Sequence, residues 1–297
     1  MKKVIVLLFV VLAMPVFSQQ KISFERGGFI YIANIDGTNQ QKVLEGYQHS
    51  ISPDGQFISY TFNQHTKRYA AIFTIASGKA VKFESASKGN GYFPMFSPDG
   101  NYLIFSDFIS SNWEVSMVEI ASGNIMKLSS GTKNLGYHSP RWCADSKSVT
   151  CHDLDYVYEF DINANSGRQL DFKPVMRAQD IYLSSTSSFI YNKDKSALVF
   201  DNSWDWEDTA PDKAGLFRYD IASNSITMIT DLNMVCMSPF IDYSTGKIYF
   251  SGCNKSDVVI NSYGEAEIKW NIYRINEDGS GLEKVIDNAH SPTVSQF

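Results

Sequence analysis

The chain has 297 residues, of which 43% are hydrophobic and 14% aromatic, and its formal net charge is −6. This composition supports a large buried core and excludes a disordered chain. The negative charge argues against nucleic acid and against an anionic membrane surface, so we predict neither as a partner.

The chain begins with a segment typical of an export signal. Lys2 and Lys3 precede an apolar run that ends near Val16 and is too short to span a membrane. We therefore predict a signal peptide over residues 1–18 and no membrane span. The mature chain, residues 19–297, is then expected to be periplasmic or secreted.

A hairpin pattern repeats along the chain. Its clearest copies are Ser52-Pro53-Asp54-Gly55 and Ser97-Pro98-Asp99-Gly100, each followed by an apolar run. Proline presets φ, aspartate can bond its own backbone, and glycine accepts a positive φ. The aligned copies are anchored at residues 52, 97, 143, 192, 242 and 295, with spacings of 45 to 53 residues. A period of this size with strand content throughout predicts a repeat architecture.

Each repeat contains four short strands, named a to d in chain order. The b strand at 102–105 is apolar throughout, whereas the d strands alternate and carry lysine, as exposed edges do. Such repeats predict a β-propeller, with a β-solenoid as the alternative. The mature chain starts at a b strand, residues 22–25, and ends with an orphan a strand, residues 292–296. We therefore predict an all-β, six-bladed propeller whose C-terminal strand closes the first blade.

The Ser-Pro-Asp-Gly turns with their apolar b strands resemble the WD-like repeats of TolB-type propellers, and so does the turn at 32–39. The resemblance covers the mature chain and implies a TolB-like six-bladed fold. This sequence departs from TolB, which carries an α/β domain before its propeller. Propellers of prolyl oligopeptidase-like enzymes look similar, but the sequence contains no Gly-x-Ser-x-Gly motif. Oligogalacturonate lyases, which bind a metal ion through histidine, also look similar.

The connections between strand d of one repeat and strand a of the next vary most, so we expect the functional face there. Tyrosines and histidines in these connections should surround the mouth of the central channel: Tyr47, His49, Tyr92, Tyr137, His138 and His290. Three interpretations stay open, namely packing residues of repeated loops, a polar and aromatic ligand pocket, or a metal site among His49, His138 and His290. We predict no cofactor.

An acidic and aromatic insertion at residues 201–208 carries Trp204 and Trp206. Exposed tryptophans beside carboxylates suit a sugar or a peptide partner, whereas buried ones would only pack over the ring. We predict a monomeric, non-enzymatic binding or scaffold module for an envelope protein, a peptide or a glycan. The alternative is a metal-dependent polysaccharide lyase resembling oligogalacturonate lyase.

Export permits disulfides, and the chain has four cysteines with no CxxC spacing: Cys143, Cys151, Cys236 and Cys253. The register of the Ser97 hairpin, carried to the hairpin of the sixth blade with its anchor at residue 242, places Cys236 directly opposite Cys253. The same rule puts Cys143 and Cys151 on opposite faces of their sheet. We predict one disulfide, Cys236–Cys253, and two buried thiols; four buried thiols are the alternative.

Overall fold

The structure is a computed structural model that describes residues 19–128, 136–179, 181, 183–202, 215–263 and 266–296. Within these residues, six four-stranded antiparallel sheets follow one another around a ring, which is a six-bladed β-propeller. The predicted fold class is therefore confirmed. The predicted signal segment, residues 1–18, lies outside the described residues. No helix in the described ranges is long and apolar enough to cross a membrane.

The strands of each blade follow one another from the channel outwards. Blade one holds β26 (His290–Val294), β1 (Lys21–Arg26), β2 (Phe29–Asn34) and β3 (Gln41–Glu45). Blade two holds β4 (Tyr47–Ile51), β5 (Phe57–Gln64), β6 (Lys67–Thr74) and β7 (Lys79–Phe83). Blade three holds β8 (Gly91–Phe96), β9 (Tyr102–Ile109), β10 (Asn112–Glu119) and β11 (Ile125–Leu128).

The remaining three blades follow the same order. Blade four holds β12 (His138–Trp142), β13 (Ser148–His152), β14 (Val157–Asp161) and β15 (Ser166–Leu170), followed by the short helix α1 (Lys173–Arg177). Blade five holds β16 (Phe189–Tyr191), β17 (Ala197–Asp201), β18 (Leu216–Asp220) and β19 (Ser225–Met228). Blade six holds β20 (Met234–Ile241), β21 (Ile248–Asn254), β24 (Asn271–Ile275) and β25 (Glu283–Ile286), and the small hairpin β22 (Val259–Ile260) and β23 (Ala266–Glu267) extends from it.

The ring closes through the C-terminal strand, as predicted. β26 pairs with β1, and Thr293 lies opposite Ser23 with their hydroxyl oxygens 2.7 Å apart. Beyond the strand, the backbone N–H of Lys21 donates to Ser295 Oγ at 2.8 Å. The two ends of the described chain therefore share one sheet, and the innermost strand of blade one comes from the far end of the sequence.

The Ser-Pro-Asp-Gly turns owe their shape to hydrogen bonds within the motif. In the first copy, Ser52 Oγ donates to Asp54 Oδ1 at 2.5 Å, and the backbone N–H of Phe57 donates to Ser52 Oγ at 2.9 Å. Gly55 has φ of 70°, a conformation that glycine adopts at little cost. The serine hydroxyl thus closes the turn from both sides, which explains why the motif recurs at this end of the hairpins.

The apolar core is divided into clusters that lie mostly between neighbouring blades. In one cluster, Ile104 and Val115 of blade three pack with Trp142 and Phe160 of blade four. Strands β13 and β17 are buried along their whole length because both faces of their sheets are covered. This arrangement explains the continuously apolar b strands that the sequence shows.

A β-bulge interrupts the pairing of five inner strands, namely β4, β8, β12, β20 and β26. The predicted opposition of Cys236 and Cys253 is wrong for this reason. The bulge shifts the register by one residue, so that Cys236 lies opposite Gly252 and Cys253 lies opposite Val235. A shift of one residue sends a side chain to the other face of the sheet. All four cysteines are buried free thiols, so the predicted disulfide Cys236–Cys253 is wrong, and the burial predicted for Cys143 and Cys151 is confirmed.

Candidate functional site

The bulges build a ring of residues at the end of the channel where the inner strands begin. Each bulged residue has a left-handed backbone, which is uncommon for any residue but glycine. These residues are Gln48 (φ 53°), Phe93 (φ 54°), Ser139 (φ 49°), Ser238 (φ 55°) and Ser291 (φ 54°). All five line one cavity, and Ser185 and Thr186 of blade five complete its circumference. We call it the mouth cavity.

Side chains from the preceding blade hold the bulges in place. The backbone N–H of Gln48 donates to Glu25 Oε1 at 2.7 Å, and that of Ser238 donates to Asp201 Oδ2 at 3.0 Å. Blade three repeats the arrangement, because the N–H of Phe93 donates to Thr61 Oγ1 at 3.2 Å. Bulging frees these N–H groups from the strand ladder, and the neighbouring blade satisfies them. The rim of the mouth cavity is therefore fixed in shape before any ligand arrives.

The mouth cavity has a volume of about 300 Å³, which is at the lower end of the range for small-ligand sites. One wall is aromatic: the ring of Trp113 lies 5.5 Å from that of Tyr92 and 6.3 Å from that of His138. At the rim, Phe93 is 41% exposed and Met237 is 37% exposed. The cavity thus combines a rigid outline with apolar groups that are open to a partner.

The opposite end of the channel is nearly filled. There the free space is only about 30 Å³ and is lined by Phe96, Trp142, Phe240 and Tyr243 among others. A space of this size holds a few water molecules at most. Arg141 lines both this space and the mouth cavity, and so it lies between them. The mouth cavity is consequently a dead end with a cation at its floor.

Arg141 is a partly buried cation with little compensation, and its Nε is fully shielded from water. Its Nη1 donates to the carbonyl of Pro140 at 3.0 Å, and its buried Nε has no hydrogen-bond partner in the described part of the chain. Burial lowers the pKa of Arg141, and the charge of Asp201 opposes that shift. Burial also raises the pKa of Asp201, whose oxygens accept the N–H groups of Ser188 and Ser238. An arginine nevertheless remains protonated at neutral pH.

Of the predicted tyrosines and histidines, Tyr92 and His138 lie in the wall of the mouth cavity. Tyr137 does not, because its ring is buried against Tyr158 and Phe160, and so it is a packing residue. The Tyr47 hydroxyl donates to an exposed side chain of its own blade rather than into the cavity. The interpretation as packing residues therefore holds for Tyr137, whereas Tyr92 and His138 belong to the candidate pocket.

His49 and His290 form a separate group with Glu25 behind the rim. His49 is buried with Nδ1 3.3 Å from Glu25 Oε1, and its Nε2 has no partner within the described ranges. Burial would raise the pKa of Glu25, but the hydrogen bond and charge of His49, with the field of His290, lower it overall. Burial has the opposite effect on the histidines, because it disfavours their charged form, and it lowers the pKa of His290 and of His138. These groups hold the first blade interface together.

The residues do not fit the metal site that was one of the three interpretations. Nowhere in the described part of the chain do three or more histidine, cysteine, aspartate or glutamate side chains converge as metal ligands would. His49 and His290 interact with Glu25, whereas His138 packs against Trp113 and His152. No chemistry of a lyase can be derived from this arrangement.

Sequence reasoning missed Arg141 and the bulged residues and could not place two predicted ones. Trp204 and Trp206 lie outside the described residues. Arg141 had a signal, because it stands two residues before the repeat anchor at residue 143, a position that has no charge in the other repeats. The bulges had no such signal in the sequence, since Gln48 and Phe93 are not residue types typical of a left-handed backbone.

Comparisons with known proteins bear on the fold. No protein-family model matches the chain, and no curated protein matches it. Solved structures do: TolB from Acinetobacter baumannii aligns with a TM-score of 0.62 at 15% identity, over 94% of this chain and 67% of that one. The fold is that of the TolB propellers. A putative TolB from Agrobacterium tumefaciens gives 0.58 at 16% identity, over 94% of this chain and 98% of its own.

A second kind of propeller is equally similar in shape. A chain of a nidogen/laminin complex aligns with a TM-score of 0.62 at 9% identity, over 94% of this chain and all of its own. At such low identities the likeness concerns the fold alone, because propellers of one shape serve many functions. The TolB-like ring is thus a propeller scaffold, and its function has to be argued from its own mouth cavity.

Proposed function

We propose that the protein is an exported binding module that recognises an envelope protein, a peptide or a glycan at the mouth of its channel. The observation that carries this proposal is the mouth cavity itself, whose rim is fixed by bulges and whose floor is closed. A preformed cavity loses less entropy on binding than a flexible one. The predicted signal segment, residues 1–18, supports export, and the fold neighbours include TolB proteins and a chain from a protein–protein complex.

The chemistry of the rim favours a protein or peptide segment among these partners. Phe93 and Met237 are exposed apolar side chains on blades three and six. Exposed apolar groups around a cavity mark interaction sites, and methionine adapts to varied partners. Trp113, in contrast, packs against Tyr92 and Phe108 and so is poorly placed to stack on a sugar.

Site-specific photo-crosslinking in the source cells tests this proposal. A photoreactive amino acid at position 93 or 237 should give covalent adducts with one partner of defined mass. The matched controls are positions 147 and 193, which are exposed lysines in hairpin turns at the opposite end of the ring. Adducts from the rim alone are expected. Equal adducts from both ends, or none from the rim, would contradict a mouth-directed binding module.

A further inference from the structure

Arg141 gives the mouth cavity a charge that none of the described lining residues balances. The lining combines hydroxyl, amide, aromatic and thioether groups, and in the described residues it contains no carboxylate and no cation other than Arg141. His138 and His152 lie nearby, and burial lowers the pKa of both, so they are neutral at pH 7. The cavity therefore presents one positive charge among neutral groups and partly withdrawn from water, where an electrostatic attraction is stronger than in bulk solvent.

This charge breaks the pattern of the repeats. Arg141 lies opposite Thr150 in its hairpin, and each other blade has an equivalent inner-strand residue two positions before its anchor. Those equivalents are small or apolar: Ser50, Met95, Ile190, Phe240 and Thr293. A residue of this kind would suffice to build the channel wall. A cation that is partly withdrawn from water and has no carboxylate within hydrogen-bond distance among the described residues costs free energy, so its presence points to a function beyond packing.

Most donors of Arg141 have no acceptor among the described residues. Nη1 donates to the carbonyl of Pro140, whereas Nε and the second terminal nitrogen have no partner there. Asp201 attracts the guanidinium but is not within hydrogen-bond distance of it in those residues, and the backbone N–H groups of Ser188 and Ser238 occupy its carboxylate. The fork of Nε and Nη2 matches the two oxygens of a carboxylate.

We propose that the mouth cavity binds a carboxylate, with Arg141 as its anchor. This inference rests on the proposed function and names the chemistry of the ligand. One cation among neutral groups suits a monoanion better than a phosphate, whose second charge would be unpaired. The apolar rim at Phe93 and Met237 suits a carboxylate that carries an apolar group. A free small acid and the C-terminal carboxylate of a peptide both provide this chemistry.

Isothermal titration calorimetry with matched probes tests the carboxylate anchor. The probes are N-acetyl-L-leucine and its amide, which differ in charge and hardly in size. Charge-assisted hydrogen bonds predict that the wild-type protein binds the free acid roughly ten- to a hundredfold more tightly than the amide. In Arg141→Met, which keeps an unbranched apolar stem but lacks the guanidinium, the ratio should fall below about twofold while the melting temperature is retained.

Further arms keep the test decisive. A hexapeptide ending in leucine, compared with its C-terminally amidated form, distinguishes the sources, because a peptide ligand should exceed N-acetyl-L-leucine in affinity. If Arg141→Met does not fold, the ratio of acid to amide in the wild-type protein decides alone. Equal affinities, no saturable binding of the acid, or a preference retained in Arg141→Met would overturn the carboxylate anchor. Crosslinks from positions 93 and 237 would still be expected in that case, so the crosslinking experiment tests the proposed function independently of the carboxylate anchor.

Discussion

The two ends of the channel are built from the same inner strands and differ in almost every property. At the turn end, serine and aspartate side chains satisfy the turns, and the Tyr243 hydroxyl donates to the carbonyl of Trp142 at 2.8 Å, bridging blades six and four. At the mouth end, bulged residues adopt a left-handed backbone, and Arg141 Nε has no hydrogen-bond partner among the described residues. The difference teaches that one strand can stabilise the ring at one end and leave the other end free for recognition.

The largest loss of stability is expected when the strand that closes the ring is removed. Deletion of residues 290–297 removes β26 and exposes the apolar edge of β1, so we expect aggregation or loss of the cooperative melting transition. Circular dichroism and size-exclusion chromatography measure this. Removal of Phe297 alone, which leaves β26 intact, is the matched control. If the variant that lacks residues 290–297 melted at the same temperature as the full-length protein, closure of the ring would contribute nothing to stability.

A pair of aromatic truncations compares the two ends directly. Trp142 is buried, and its Nε1 donates to the carbonyl of Met95 at 3.0 Å, so Trp142→Ala should cost about 3–5 kcal/mol of unfolding free energy. Phe93→Ala at the exposed rim should stay within about 0.5 kcal/mol of the wild-type protein. Urea denaturation measures both. Similar losses in the two variants would mean that the rim also serves stability.

Acid should destabilise the ring through His152, which is buried next to the mouth. Its Nε2 lies 2.8 Å from the carbonyl of Ser187, and its Nδ1 accepts the N–H of Leu154 at 3.2 Å, which requires the neutral ring. Burial lowers the pKa of His152 to about 4, whereas an unfolded histidine has a pKa of about 6.5. The contribution is thus complete above pH 6.5 or so and is lost as the pH falls towards 4.

The loss attributable to His152 amounts to roughly 3 kcal/mol at most, because one pKa unit corresponds to about 1.4 kcal/mol. Urea denaturation at pH 7 and pH 5 measures it, and His152→Gln should be less stable at pH 7 but less sensitive to acid. An unchanged acid sensitivity in His152→Gln would assign the effect to other groups.

The hydrogen bonds that hold the bulge of blade three predict a smaller effect. Thr61 Oγ1 accepts the N–H of Phe93 and donates to Gln48 Oε1 at 2.9 Å. Thr61→Val removes both bonds and should cost about 1–3 kcal/mol, because it leaves polar groups unsatisfied. Thr61→Ser keeps the hydroxyl and is the control. If valine were tolerated as well as serine, the rim would not depend on its neighbouring blade.

The fold could be predicted from the sequence because its signals are local. The Ser-Pro-Asp-Gly turns, the apolar b strands and the unpaired runs at the two ends define six blades and their closure, and the structure has all of them. The mouth could be predicted only in part. Tyr92 and His138 were placed by their spacing, but the bulges have no local signature, and they shifted the register that placed Cys236 opposite Cys253.

Arg141 shows the other limit. Its residue type and its position in the repeat were visible, but its partial burial, and the lack of a partner for Nε in the described residues, follow from the packing of several blades around the channel. Interactions between residues that are distant in sequence decide such properties, and no spacing rule contains them. The repeat alignment is nevertheless the sequence feature that could have drawn attention to it.

The central claim is that the mouth cavity recognises its ligand through Arg141. It is tested most directly by a crystal structure determined from crystals of the protein soaked in N-acetyl-L-leucine. We predict one molecule in the mouth cavity, its carboxylate within about 2.7–2.9 Å of Arg141 Nε and a terminal nitrogen, and its apolar group near Phe93 and Met237. The bulged backbone should not move. A ligand bound at the turn end, or in the mouth cavity without contact to Arg141, would contradict the assignment of recognition to the mouth.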